Sequence, residues 1–132
     1  MNSKLLKFSL LFGCLYFVCM SIAHFFSIKV PILFVYFDTE YFAYQDKIIS
    51  FAVTAYIALF YLASKNRKNV PAALIVLGIT TLGLTSINLS SQLKVAMTSG
   101  QTLLPYWLET AFIASYLVVL TVRYKIDGKS IK

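Results

Sequence analysis

Charged side chains are scarce in this chain. Asp, Glu, Lys and Arg make up 13% of its 132 residues, where an ordinary soluble domain carries about a quarter. Histidine occurs once and cysteine twice, a poor supply for a zinc site that needs three or four ligands, and bis-histidine haem ligation within one chain is impossible. Cys14 and Cys19 lie five residues apart, about 140° around a helix, so they cannot bridge there, and no C-x-x-C pair suggests thiol redox chemistry. With five glycines there is no Gly-rich phosphate loop. These shortages argue against a metal, a cofactor and a catalytic constellation.

Apolar residues fill the gap: 59% of the chain is hydrophobic and 16% aromatic, with a mean hydropathy of +0.77. That composition excludes a disordered chain, a nucleic-acid module and most soluble enzymes. The formal net charge of +7 does not reopen the nucleic-acid reading, because the basic residues sit between long apolar stretches, where they set membrane topology. The expected partner is the lipid bilayer, not a nucleic acid.

Four stretches are long enough to cross a hydrocarbon core, at about 8–28, 46–64, 70–92 and 103–122, within one domain covering residues 1–132. The first has a signal-peptide rival, with Lys4 and Lys7 as its basic start and Ser21-Ile22-Ala23 as a small-x-small site. Its uncharged run continues past that site, which favours a retained helix. Residues 29–47 form a loop whose apolar run, Val30 to Phe37, is too short to cross as a helix and should lie at the interface or fold back over the bundle mouth. Asp38 or Thr39 is placed to cap the second helix, with Glu40 in its first turn. A start near Tyr41 would bring Gln45, Asp46 and Lys47 into that helix. Asn69 is placed to cap the third, with Pro71 in its first turn, where the missing N–H costs nothing. Pro105 opens the fourth, Tyr106 and Trp107 suit the interface, and Arg123 stops it. None of the three prolines interrupts a span.

Basic residues set the orientation. The tails and middle loop hold nine (Lys4, Lys7, Lys65, Arg67, Lys68, Arg123, Lys125, Lys129 and Lys132), against three (Lys29, Lys47 and Lys94) in the other two loops. Both termini are therefore expected in the cytoplasm. Short loops and a compact chain point to a bacterial inner membrane.

Glu109 is the most informative residue. It lies about two turns inside the fourth span, roughly 5 Å from the membrane centre, where a carboxylate must face the bundle interior rather than lipid. His24, the only histidine, lies about 10 Å outward of the first span's centre, and Asp46 marks the entrance of the second. On the third, Gly78, Thr81, Thr85, Asn88 and Gln92 follow a 3–4 spacing that lines one helical face. Alternating helix directions bring His24, Asp46, Asn88, Gln92 and Glu109 to the outer half, so Glu109, His24, Asn88, Asp46, Gln92 and Thr85 are the candidate ligand-binding residues. Each also has a plainer reading. Glu109 can pair with His24, Lys47 or Lys94, the third-helix stripe is packing glue, and Tyr36, Tyr41, Tyr44, Tyr106 and Trp107 form an aromatic belt. A serine nucleophile would need His24 as base, and Ser21, Ser86 and Ser90 sit in no recognisable elbow.

Families of this size differ at the residues that matter. Small multidrug transporters carry their essential glutamate in the first helix, which here has no acid. Quinone-linked disulfide-forming proteins carry loop cysteine pairs. Glutathione-dependent membrane enzymes cluster arginines, and here the arginines are Arg67 and Arg123 alone. The sequence therefore implies an all-α polytopic membrane protein, with four transmembrane helices in a bundle. It is expected to be a non-catalytic accessory or interaction component with a membrane protein partner or a homo-oligomer. The alternative is binding or proton-coupled transport of a small molecule or cation around Glu109.

Overall fold

A computed structural model describes residues 2–30, 33 and 41–129. Its helices are α1 (Lys4–Phe25), α2 (Phe42–Lys65), α3 (Val70–Leu89), the short α4 (Ser91–Ala96) and α5 (Leu104–Lys129), with a 3-10 turn at Arg67–Asn69 leading into α3. No strand occurs among the described residues. Four of the helices are long and apolar enough to cross a membrane.

Helix ends depart from the sequence expectation for local reasons. α1 starts at Lys4 because the Ser3 hydroxyl accepts from the Leu6 N–H at 3.2 Å, satisfying one of the free donors of the first turn. It stops at a Schellman turn: Ser27 adopts φ 52°, and the Ile28 and Ser27 N–H groups donate back to the carbonyls of Ala23 and His24. α2 takes the earlier of its two expected starts. Tyr41 is its N-cap, in the left-handed region at φ 62° and without a side-chain cap bond. The expected caps Asp38 and Thr39, along with Glu40 and Tyr36, lie outside the described residues.

Asn69 stands at the N-cap position of α3, as expected, but its side chain makes no cap bond. The 3-10 turn extends that start backward, so Asn69 is already helical and the extended Asn66 accepts from the Lys68 N–H at 3.0 Å instead. At its other end α3 stops at Leu89, since Ser90 breaks out to cap α4. Arg123 does not end the last helix, which runs two turns further. A charge can end a membrane span without ending a helix.

The long helices form a ring. α1 packs mainly along α2 and α3 mainly along α5, and the α2–α3 and α1–α5 contacts close the circuit. Neighbours run antiparallel: the start of α1, the end of α2, the start of α3 and the end of α5 meet at one end, joined by hydrogen bonds from Asn2, Ser3 and Arg67. That basic end gathers Lys4, Lys7, Lys65, Arg67, Lys68, Arg123 and Lys125. The opposite end carries His24.

Inward positions recur every three or four residues, as a helix stripe requires: Leu6, Leu10, Gly13 and Phe17 on α1, Phe60 and Ala63 on α2, Val70, Ala73 and Leu77 on α3, Ile113 and Leu120 on α5. Outward positions are just as apolar, with Phe8, Ile79 and Leu82 at least 65% exposed. A surface of this kind fits a lipid solvent. In lipid, close packing and interhelical hydrogen bonds hold helices together instead of the exclusion of water. Phe60 anchors this packing, with ring centroids 5.3 Å from Phe17 and 6.1 Å from Tyr116. Gly13 makes room for it: a Cβ there would fall against the Tyr116 hydroxyl and 2.8 Å from the Phe60 ring.

Candidate functional site

The His24 end holds two buried interhelical pairs. The Schellman turn that ends α1 fixes His24 in the last turn, and its Nδ1 lies 3.0 Å from Asp46 Oδ1 on α2. Both residues are under 8% exposed. One turn deeper, the Ser21 hydroxyl donates to the Ser50 carbonyl at 2.8 Å, tying the same two helices together. On the other side of the ring, Asn88 Nδ2 of α3 donates to the Thr110 hydroxyl of α5 at 2.9 Å, and that hydroxyl in turn donates to the Tyr106 carbonyl.

Glu109 is buried on α5, at 8% exposure, beside Thr110. It lies near the phenols of Tyr16 on α1 and of Tyr106 one turn before it. The Tyr16 hydroxyl donates to the Leu33 carbonyl at 2.9 Å, so the chain returns to α1 at that residue.

Sequence reasoning brought five residues to one level, and the structure divides them. His24 and Asp46 pair with each other, and Asn88 pairs with Thr110. Among the described residues no hydrogen bond joins the two pairs. Gln92 leaves the group: α3 ends three residues before it, and it lies exposed on α4. Thr85 is half-buried and spends its hydroxyl on the Thr81 carbonyl of its own helix, at 2.8 Å. Of the serines weighed as nucleophiles, Ser21 donates to Ser50 and Ser90 to Ile87, so neither is directed at His24.

Two buried acceptors are left over among the described residues, Asn2 Oδ1 at the basic end and Asp46 Oδ2 at the His24 end. Asp46 Oδ2 is shielded and has no hydrogen-bond partner among the described residues. It can take a proton or accept from a donor brought to it. No group of three or more His, Cys, Asp or Glu residues able to hold a metal ion occurs among the described residues.

Sequence reasoning missed two features. Tyr16 and Tyr106 stand near the buried acid, and its sequence neighbour Thr110 pairs with Asn88; their signal was a hydroxyl next to Glu109 and tyrosines within or beside apolar stretches. The second is a clamp at the basic end. Asp127 accepts from the Ser3 N–H at 3.0 Å and pairs with Arg67, which also donates to the Tyr124 carbonyl at 2.8 Å and lies 4.4 Å from the Tyr124 ring. An acid isolated among basic residues was its only trace in the sequence. Compared with protein-family models, curated proteins and solved structures, the chain shows no match.

Proposed function

We propose that the protein is an integral membrane component of a bacterial inner membrane, with four spans and both termini in the cytoplasm. In this reading it acts without catalysis, as an accessory or interaction partner of another membrane protein. The observation that carries this reading is how the polar side chains of the His24 end are used. His24, Asp46, Asn88 and Thr110 are engaged in helix-to-helix pairs, as expected of groups that hold a bundle together in lipid. The basic residues gathered at one end, from Lys4 and Lys7 to Arg123 and Lys125, support that orientation. Crosslinking in native membranes followed by purification tests it: a defined partner or a homo-oligomer is expected, and a strictly monomeric, partnerless bundle overturns it.

A second reading has one specific observation behind it, the buried Asp46 Oδ2 without a partner, with Glu109 buried on another helix at the same end. A cation or proton taken up there would make the protein a binder or a proton-coupled transporter. Asp46→Asn and Glu109→Gln should each abolish uptake in vesicles while the bundle stays folded. Uptake unchanged in both variants removes this reading.

A further inference from the structure

The seam between α1 and α5 stays open. A cleft of about 360 Å³ lies along it, walled by Phe8, Phe12, Phe112, Ser115, Tyr116 and Val119. Its size falls within the ~300–1,000 Å³ usual for small-molecule sites. The polar atoms along it are largely spent, because the Tyr116 hydroxyl donates to the Ser9 carbonyl at 2.8 Å and the Ser9 hydroxyl to the Leu5 carbonyl at 3.0 Å. The walls therefore present ring and alkyl surface to whatever enters.

Two cations stand at the basic end of this cleft. Lys4 lies one helical turn below Phe8 on α1, and Arg123 one turn below Val119 on α5, each on the same helix face as the wall residue above it. Unlike Arg67, which is committed to Asp127, neither Lys4 nor Arg123 has a side-chain hydrogen bond or ion pair with a described residue. An apolar slot ending at two uncommitted cations matches an amphiphile with an apolar tail and an anionic head. Basic pockets between helices at the cytoplasmic face recognise anionic lipid head groups in this way.

We propose that the α1–α5 cleft holds an acyl chain of an anionic phospholipid whose phosphate sits at Lys4 and Arg123. The inference rests on the four-span reading above, which places Lys4 and Arg123 at head-group level. A zwitterionic lipid would offer the same chain but bring an ammonium group toward two cations, so the site discriminates by charge.

The full-length protein in detergent, offered phosphatidylglycerol and phosphatidylcholine with identical chains, tests this by native mass spectrometry. Phosphatidylglycerol adducts should dominate. Lys4→Gln with Arg123→Gln should reduce that preference about fivefold for each charge removed, the equivalent of ~1 kcal/mol per basic residue. Ser115→Trp, which fills the cleft, should lower adducts of both lipids. Equal binding of the two lipids, an unchanged preference in the double variant, or adducts undiminished by Ser115→Trp overturns the proposal. A dimer that Ser115→Trp dissolves also overturns it, since a second copy would then occupy the cleft. Alkaline carbonate washing of vesicles tests the span reading separately. A protein that washes off fails that reading, whereas one that resists and shows no lipid preference fails the cleft proposal alone.

Discussion

His24 and Asp46 meet across the first helical hairpin, Nδ1 to Oδ1 at 3.0 Å, each almost wholly withdrawn from the surface. Between them run the end of α1, the segment that follows it and the start of α2. The contact therefore pins two helix ends that the chain itself joins only through residues 26–41. The positive charge a histidine can carry also suits the C-terminal end of α1, where free carbonyls concentrate.

Removing one partner should expose the value of this contact. Asp46→Leu leaves His24 buried without its acceptor and is expected to cost about 1–3 kcal/mol, whereas Asp46→Asn keeps an acceptor oxygen and should cost less. Unfolding of the purified protein by titration with a denaturing detergent measures both. Equal stability of wild type and Asp46→Leu would show that the pair contributes nothing.

Gly13 and Tyr116 should behave as a coupled pair. Gly13→Ala puts a methyl group against the Tyr116 hydroxyl and the Phe60 ring, an overpacking cost of about 1–3 kcal/mol. Tyr116→Phe alone loses the bond to the Ser9 carbonyl, but in the Gly13→Ala background it also relieves the clash. The double variant should therefore be more stable than the sum of the two single losses, and strict additivity in a double-mutant cycle would contradict the contact.

The last two turns of α5 depend on the Asp127 clamp. Asp127→Asn weakens its pairing with Arg67 and its hold on the Ser3 N–H. Amide hydrogen exchange over 124–129 should accelerate about tenfold or more, corresponding to a loss on the order of 1–3 kcal/mol. Exchange at the His24 end should not change, which separates local fraying from global loss of stability.

Topology is open to direct labelling. With Cys14 and Cys19 replaced by alanine, a single cysteine at Lys68→Cys should react with a membrane-impermeant maleimide only after cells are opened, and one at Lys94→Cys should react in intact cells. Equal labelling of both sites in intact cells would contradict four spans with both termini inside.

What could be read from the sequence follows from which forces are local. The four apolar stretches and the inward turn of Glu109 were legible because transfer of a chain segment or a carboxylate into an apolar medium depends on little besides that segment. Helix ends were less so. The 3–4 spacing that reaches Gln92 gives no sign that Ser90 will cap a new helix, and Asn69 and Asn66 compete for the same role three residues apart. The pairings were not legible at all. Glu109 was offered His24 as a partner, but His24 is claimed by Asp46, because α1 packs chiefly on α2 while α5 packs chiefly on α3. Which helices adjoin, and how far each is rotated, is a property of the whole assembly.

That arrangement makes the molecule two hairpins laid side by side, each stapled at the same level by its own buried polar contact, His24–Asp46 in one and Asn88–Thr110 in the other. Between them run a Tyr116 hydroxyl on one seam and the Tyr56–Thr80 contact, at 2.7 Å, on the other, while Asp127 ties the hairpins firmly at the basic end. Ring contacts run along the Tyr116 seam, from Tyr116 to Phe60 and Phe12 and from Tyr16 to Phe112, so the hairpins are joined along their length as well as at the basic end.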